Sequence, residues 1–382
     1  MRNKKNILIV ILLSSFVITC AKKGGYPPFY GLHNFLSQGS LSYTTCYTKE
    51  DNSLLCWGDN SSGQFGTGTT TSSRVPVASL NSNTAQPISV GDTFACAITT
   101  AGGVNCWGDN TYGQLGNGTT VTSRVPVSVT GIENAVQVSI GVAHACVLLV
   151  DTKVKCWGLN NYGQLGDNTV VNKSTPAQVV NLTGVVQISL GEVFSCALIS
   201  TGQIKCWGSN VSGELGFGAT SSLSFPVTVN GLSNAIQVSS GRRHACGVLA
   251  DGNLWCWGAN TEGEFGNGTT TSSQTPVYSG VSNAVAVSAG YRHTCIITKD
   301  NGIRCWGDNT YGQLGNGTLT SSLSPVDVIG IGHALVLSVN RDHTCVQQID
   351  NSVMCWGYNF YGQLGLGNAT NSSTPKWVSA VD

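Results

Sequence analysis

Residues 244–258 read HACGVLADGNLWCWG, and in this stretch two short apolar runs flank a turn. A three-residue hairpin loop places its third residue in the left-handed region, where glycine and asparagine are favoured. With residues 250–252 as the loop, Gly252 takes that position and Cys246 falls directly opposite Cys256. Cα atoms in such a non-hydrogen-bonded pair lie about 4.5 Å apart, a distance that a disulfide can span. The stretch therefore predicts a hairpin closed by a disulfide.

The same cysteine spacing recurs along the chain of 382 residues, which contains 15 cysteines. With Cys20 set aside, the other 14 form seven pairs, each with nine residues between its members: Cys46 and Cys56, Cys96 and Cys106, Cys146 and Cys156, Cys196 and Cys206, Cys246 and Cys256, Cys295 and Cys305, Cys345 and Cys355. Successive pairs are 50 residues apart, with one step of 49. A period of this size indicates a repeat architecture. The left-handed loop position is held elsewhere by Asn52, Gly102, Thr152, Gly202, Asn301 and Asn351.

The N-terminus has the features of an export signal. Arg2, Lys4 and Lys5 precede an apolar run that is too short to span a bilayer, and the run ends in VITC at residues 17–20. This tetrad resembles the lipobox of bacterial lipoproteins, whose cysteine receives the lipid; an ordinary signal peptide with an incidental cysteine is the alternative. We expect a signal peptide over residues 1–19, a lipid anchor at Cys20, and a flexible tether over residues 20–34. The predicted location is the bacterial cell envelope, on the outer membrane.

Disulfides compete with metal binding as an explanation of the paired cysteines. Histidine lies two residues before the first cysteine in four repeats, as in His144-Ala-Cys146, but Phe94 and Phe194 hold the same position in two others. A position that accepts phenylalanine is a packing position, and zinc sites favour closer cysteine spacing. Because exported proteins form disulfides readily, we expect seven disulfides and no metal.

Each repeat contains four short β-runs separated by glycine-rich turns, which is the composition of one propeller blade. In the third copy the runs cover residues 134–141, 144–149, 154–158 and 176–180. We therefore predict an all-β protein, a seven-bladed β-propeller of four-stranded blades over residues 35–382. The tryptophan after each second cysteine should pack between blades. The first repeat has an atypical opening at Gln38, and we expect the terminal strands to lie side by side.

A family resemblance rests on elements that recur in every repeat. CWG ends each hairpin, and GQLG recurs at Gly113, Gly163, Gly312 and Gly362, with variants in the other three repeats. Over about residues 35–382 the pattern resembles the repeat of the regulator of chromosome condensation family. The resemblance implies a seven-bladed propeller, and guanine-nucleotide exchange is the activity for which the family is named. The cysteine pair departs from the eukaryotic members and suits a protein outside the cytoplasm.

Composition argues against nucleic-acid binding. Only 10% of residues are charged, with 19 basic and 19 acidic side chains. Loss of residues 1–19 removes three basic residues and no acid, so the mature chain is slightly acidic. Nucleic-acid binders carry a basic footprint instead. Nothing in the sequence matches a nucleophile–base set, a phosphate-binding loop or a dinucleotide fingerprint, so we expect neither an enzyme nor a cofactor.

The loop between the first two runs varies most between repeats. In repeats five to seven it contributes residues that are enriched in protein-recognition hot spots: Arg242, Arg243, Tyr291, Arg292, Arg341 and Asp342. We expect this rim to bind a protein or glycan partner; pairing of the arginines with nearby acids is the alternative explanation. Trp255 either lies near the rim or packs within its strand. The function predicted is that of a monomeric, membrane-anchored binding scaffold. Inhibition of a secreted hydrolase, nucleotide exchange and a propeller lyase remain alternatives.

Overall fold

The computed structural model describes residues 35–37, 41–80 and 84–379. Within these residues the chain forms seven four-stranded antiparallel sheets, each built from one repeat, which confirms the predicted all-β propeller. The predicted signal peptide, Cys20 and the tether fall outside the described residues, so these predictions stand untested. No helix able to span a membrane occurs in the described part of the chain.

Each blade takes four consecutive strands. Blades 1 to 4 contain β1 (Phe35–Leu36), β2 (Thr44–Thr48), β3 (Leu54–Gly58), β4 (Ser73–Ala78), β5 (Thr84–Val90), β6 (Phe94–Thr99), β7 (Val104–Gly108), β8 (Ser123–Ser128), β9 (Ala135–Ile140), β10 (His144–Leu149), β11 (Val154–Gly158), β12 (Lys173–Gln178), β13 (Val185–Leu190), β14 (Phe194–Ile199), β15 (Ile204–Gly208) and β16 (Leu223–Thr228). Blades 5 to 7 contain β17 (Ala235–Ser240), β18 (His244–Leu249), β19 (Leu254–Gly258), β20 (Ser273–Tyr278), β21 (Ala284–Ala289), β22 (His293–Thr298), β23 (Ile303–Gly307), β24 (Ser322–Asp327), β25 (Ala334–Val339), β26 (His343–Gln348), β27 (Val353–Gly357) and β28 (Ser372–Trp377). The first strand of every blade contacts the first strands of both neighbouring blades, so these seven strands surround the central axis.

The second and third strands of each blade form the hairpin predicted from the cysteine spacing. In all seven hairpins the first cysteine lies directly opposite the second. All seven predicted pairs are bonded, with Cα atoms 4.1 Å apart: Cys46 to Cys56, Cys96 to Cys106, Cys146 to Cys156, Cys196 to Cys206, Cys246 to Cys256, Cys295 to Cys305 and Cys345 to Cys355. The cysteine spacing therefore gave both the pairing and the strand register correctly.

The turn of each hairpin also has the predicted conformation. The loop residue expected in the left-handed region has a positive φ in all seven blades, including 66° at Thr152. A β-branched residue rarely adopts this conformation. The hairpin geometry therefore overrides the preference of the residue at this point.

Loss of one disulfide should be clearly measurable. Replacing Cys196 and Cys206 together by alanine opens a short loop, and we expect the free energy of unfolding to fall by about 2–3 kcal/mol. Urea unfolding of the protein, with the other six disulfides kept oxidised, measures this change. Because all fourteen paired cysteines are fully buried, thiol labelling of the folded wild type under mild reductant should show no reaction at these positions. Rapid labelling of the folded protein would contradict this expectation.

The tryptophan of each CWG element packs between blades, as predicted. All seven of these side chains are fully buried. Trp207 of blade 4, for example, lies in one core cluster with Cys146 and Cys156 of blade 3. Its indole Nε1 donates a hydrogen bond of 2.9 Å to the backbone carbonyl of Gln164 in that preceding blade. Every blade therefore covers the disulfide of its neighbour with an indole ring.

The ring closes through the same contacts that join the other blades. Trp57 of blade 1 donates to the carbonyl of Gln363 in blade 7 at 2.9 Å. The backbone amide of Gly367 in blade 7 also donates to the carbonyl of Arg74, at 2.9 Å. Equivalent backbone bonds join the other neighbours, such as Gly118 to Ser174. Closure is thus achieved by side-chain packing and loop contacts between complete blades.

One expectation about the termini was wrong. Among the described residues the terminal strands do not lie side by side, because β1 pairs with β2 at the axis, while β28 pairs with β27 on the outside. The first strand precedes the atypical segment at Gln38: Ser37 binds Cys46 through both backbone and side chain, as the first strand of a blade should. Instead of mutual pairing, each outermost strand carries a proline, which lacks a donor and discourages edge-to-edge association: Pro76, Pro126, Pro176, Pro226, Pro276, Pro325 and Pro375.

Candidate binding face at the channel mouth

Two sets of loops emerge on the same side of the propeller. In blade 3, His144 at the start of the second strand lies opposite Gly158 at the end of the third, which in turn lies opposite Lys173 at the start of the fourth. The loops that join first to second strands and third to fourth strands therefore share one side, which we call the loop face. The disulfide hairpins turn on the opposite side.

The central channel itself offers little room for a ligand. Serines of the first strands line a cavity of about 50 Å³, among them Ser89, Ser139, Ser189, Ser239 and Ser288. These hydroxyls accept hydrogen bonds from backbone amides of the next blade, as Ser189 does from Ser240 at 2.9 Å. Pockets for small molecules are several times larger. The channel therefore serves blade packing, and the loop face around its mouth is the surface to consider.

The six residues predicted to form a partner-binding rim all lie on the loop face, and four of them meet around one ring. The guanidinium carbons of Arg242, Arg341 and Arg292 lie 4.3, 4.7 and 5.6 Å from the centroid of the Tyr291 ring. Arg243 points instead toward Glu192 of blade 4. Cation–π contacts at these distances hold the loops of blades 5, 6 and 7 together.

Every arginine of the rim is also paired with a carboxylate. Such pairing was the alternative to partner binding in the sequence analysis. Arg242 and Arg243 lie 3.4 and 3.1 Å from the carboxylate of Glu192. Arg292 lies 3.6 Å from Glu262. Arg341 of blade 7 reaches Asp92 of blade 2 at 2.9 Å, past the intervening blade 1. The rim is therefore charge-balanced, and the pairing of its arginines with nearby acids is present.

Backbone hydrogen bonds between blades fix the loops that carry these side chains. The amide of Glu192 donates to the carbonyl of Arg242, and the amide of Arg242 donates to that of Gly290, at 3.2 and 3.0 Å. The same pattern continues to Arg341, whose amide donates to Ser42 of blade 1 at 3.3 Å. The rim is thus held in place by the propeller before any partner arrives.

Asp342 is held beneath the surface of the rim. It is 9% exposed, and it accepts a hydrogen bond of 2.8 Å from the phenol of Tyr43. Burial raises the pKa of the Asp342 carboxyl. Burial and the neighbouring Asp342 carboxylate together raise the pKa of the Tyr43 phenol. The guanidinium carbon of Arg341 lies 4.9 Å from the centroid of the Tyr43 ring. Asp342 therefore orients Tyr43. The more exposed arginines of the rim are better placed than Asp342 to contact a partner directly.

Sequence reasoning missed an aromatic cluster beside the rim, formed by Tyr43, Tyr311, Tyr358, Phe360 and Tyr361 of blades 1, 6 and 7. The Tyr358 ring lies 4.6 Å from Tyr311 and 5.5 Å from Tyr43, centroid to centroid. Phe360 is 63% exposed, and its ring is within 15° of parallel to that of Tyr358. The signal in the sequence is YNFY at residues 358–361, where blade 6 has DNTY at residues 308–311.

A second difference between blades lies under the same loops. In blades 1, 2 and 6 the side-chain amide of the GQLG glutamine donates to the aspartate after CWG, as Gln313 does to Asp308 at 2.9 Å. In blades 4 and 5 the glutamine becomes Glu214 or Glu264, and the aspartate is absent. Burial raises the pKa of Glu264 to about 7. In blades 3 and 7, Leu159 and Tyr358 replace the aspartate. The buried Nε2 atoms of Gln164 and Gln363 have no acceptor there.

The remaining candidates from the sequence have structural roles. The four histidines before the cysteines are buried, and each shares a hydrogen bond with a hydroxyl of the next blade, as His144 does with Ser195. Among the described residues no group of three or more metal-ligating side chains lies close enough to hold an ion. Trp255 packs against Tyr278 in the outer part of blade 5, with centroids 5.6 Å apart, and so belongs to strand packing.

Comparison with known proteins identifies the repeat. The model of the RCC1-like domain matches residues 38–280 and 133–382. Among solved structures, Prp20p of Saccharomyces cerevisiae is 20% identical, with 91% of this chain and 88% of that chain covered and a TM-score of 0.77. Human WBSCR16 is 22% identical, with 86% and 94% covered and a TM-score of 0.78.

A third similar structure is an ectodomain. The CRINKLY WD40 ectodomain of the Arabidopsis thaliana receptor kinase ACR4 is 22% identical, with 89% and 98% covered and a TM-score of 0.51. At these identities the likeness shows the fold alone. No curated protein matches the chain. The family model nevertheless covers all seven blades with their CWG and GQLG elements, and the chain therefore belongs to the RCC1-like domain family.

Proposed function

We propose that this protein is a binding module of the cell envelope, without catalytic activity, anchored through Cys20 and binding a partner through the loop face. The observation that carries the proposal is the convergence of exposed aromatic rings and fixed arginine–carboxylate pairs on one side of the channel mouth. Tyrosine and arginine are enriched where proteins recognise partners. Loops fixed before binding lose little conformational entropy when a partner arrives, which favours affinity.

The disulfides and the N-terminal sequence support the location. Seven disulfides form and persist in an oxidising compartment, and they are rare in the cytoplasm. Guanine-nucleotide exchange, the activity for which the family is named, would require a partner in the cytosol. A location in the envelope therefore favours a different partner, and the low charge of the chain disfavours nucleic acid.

Site-specific photo-crosslinking in living cells tests this proposal. A benzophenone side chain replaces Phe360 on the loop face, or Val150, which is 51% exposed in a hairpin on the opposite side. Benzophenone inserts into C–H bonds of proteins and glycans alike. We expect discrete adducts at position 360 and few at position 150. Equal labelling at both positions, or none at either, would remove the support for a loop-face binding site.

A further inference from the structure

We infer that the aromatic cluster is a stacking platform for an uncharged oligosaccharide, an inference that rests on the proposed binding role of the loop face. The platform consists of Phe360 and Tyr358, with Tyr361 at its edge. Phe360 is the most exposed of these rings. Sugar rings present flat C–H surfaces that pack on aromatic faces, while their hydroxyls need donors and acceptors at the margin.

The geometry argues against a cationic ligand. A cage for a cation needs several ring faces directed at one empty space, with each centroid within about 6 Å of the charge. Here Tyr358 lies 4.6 Å from Tyr311 and 5.5 Å from Tyr43, so these rings contact each other and leave no space between them. The faces of Tyr43 and Tyr291 already receive the guanidinium of Arg341. The cluster is therefore a platform, and the cation sites near it are occupied by the protein's own side chains.

The electrostatics argue against an anionic ligand. Arginines recognise phosphate and carboxylate when their donors are available. On the loop face, Arg341 is bonded to Asp92, Arg292 is paired with Glu262, and Arg242 and Arg243 share Glu192. With Asp342 included, the rim has four guanidinium groups and four carboxyl groups. An added anion would meet charges that are already compensated, so electrostatic complementarity favours a neutral ligand.

The size and surroundings of the platform favour a glycan over a folded protein. Protein interfaces bury about 800 Å² on each partner around an apolar centre. Phe360 is strongly exposed, but Tyr358 and Tyr361 are only partly exposed. The apolar surface that the cluster offers to a partner is therefore small. The same loop of blade 7 carries exposed amide and hydroxyl side chains at Asn368, Thr370 and Asn371, which can pair with sugar hydroxyls. One or two sugar rings fit such a surface.

Calorimetric titration of the full-length protein tests the inference. The probes are neutral hexasaccharides of β-1,4-linked glucose, α-1,4-linked glucose and β-1,4-linked N-acetylglucosamine, with oligogalacturonate as the anionic probe and hexalysine as the cationic one. We expect at least one neutral probe to bind, with an affinity that changes less than twofold between 50 mM and 500 mM salt. Phe360→Ala should weaken this binding about tenfold or more. The matched control is Tyr162→Ala, since Tyr162 is 45% exposed in the corresponding loop of blade 3 and should leave binding unchanged.

The other outcomes overturn the inference. Binding of only the charged probes, a steep salt dependence, or equal losses in Phe360→Ala and Tyr162→Ala would each rule out a neutral stacking platform. If no probe binds but benzophenone at position 360 still captures a protein, the glycan inference fails while the proposed function stands. If no probe binds and benzophenone at position 360 captures no more than benzophenone at position 150, both the glycan inference and the proposed function fail.

Discussion

Trp207→Ala should lower the free energy of unfolding by about 3–5 kcal/mol, the range observed when large buried aromatic side chains are truncated. The Trp207 side chain is fully buried between blades 3 and 4. Alanine would leave a cavity beside the Cys146–Cys156 disulfide and would also remove the hydrogen bond to the carbonyl of Gln164. Equilibrium unfolding in urea measures the change, with the disulfides kept oxidised.

The chain provides a matched control for this substitution. Trp377 lies in the outermost strand of blade 7 and is 57% exposed, so Trp377→Ala should change stability by less than about 0.5 kcal/mol. Trp207→Phe separates the two contributions, since phenylalanine keeps most of the buried area but cannot donate. A cost below about 1 kcal/mol for Trp207→Ala would show that the indole rings do not hold the blades together.

Local features of the fold could be predicted from the sequence because they depend on residues close together in the chain. Hairpin register follows from the eleven residues between and including the two cysteines. The structure reproduces it even where Thr152 replaces glycine or asparagine. The buried tryptophans follow from the same alternation along a strand. Such features repeat seven times, so each copy provides independent support for the others.

Contacts between blades were harder to predict because they join residues far apart in sequence. The bond between His343 and Thr45 spans 298 positions, and the pair Arg341–Asp92 spans 249. Their existence depends on the curvature that brings blade 7 beside blade 1. Tyr43 was missed for this reason: its partners Asp342 and Tyr358 belong to the other end of the chain. The arginine rim was located correctly, but its neutralisation depends on acids of other blades.

One type of contact between blades nevertheless leaves a recognisable pattern in the sequence. Where the position before the cysteine hairpin holds histidine, the next blade supplies a hydroxyl: His144 pairs with Ser195, His244 with Thr294, His293 with Thr344 and His343 with Thr45. Where it holds Phe94 or Phe194, the corresponding residue of the next blade is Ala145 or Ala245. The two positions change together because one side chain packs directly on the other.

These histidines should make the protein sensitive to acid. The hydroxyl of Ser195 donates its hydrogen to the carbonyl of Gln164 at 3.0 Å. The same hydroxyl therefore accepts a hydrogen bond from His144 Nε2. In this tautomer the neutral imidazole carries its proton on Nε2 and its lone pair on Nδ1. Nδ1 has no partner in His293 and His343, so a proton added there would be buried without an acceptor. Burial lowers the pKa of His144, His244 and His343 to about 3, and that of His293 to about 4.

The sign of the effect follows from linkage. In the unfolded chain these histidines titrate near pH 6.5, so below that pH the unfolded state binds more protons than the folded state, and folding is disfavoured. Stability contributed by the neutral histidines is complete above about pH 6.5 and is lost as the pH falls toward 3–4. Each histidine contributes about 1.4 kcal/mol per pH unit, so four should lower the free energy of unfolding by roughly 5 kcal/mol between pH 6 and pH 5.

The paired substitutions in the sequence supply the test. The double variant His144→Phe with Ser195→Ala reproduces the Phe94–Ala145 contact at the interface of blades 3 and 4. The Gln164 carbonyl keeps a donor in this variant, because Trp207 Nε1 also binds it. We expect the variant to remain folded at pH 7.5 and to lose about one quarter of the dependence of the urea midpoint on pH between 6 and 5. An unchanged dependence would show that His144 is protonated in the folded protein, and that burial does not keep it neutral.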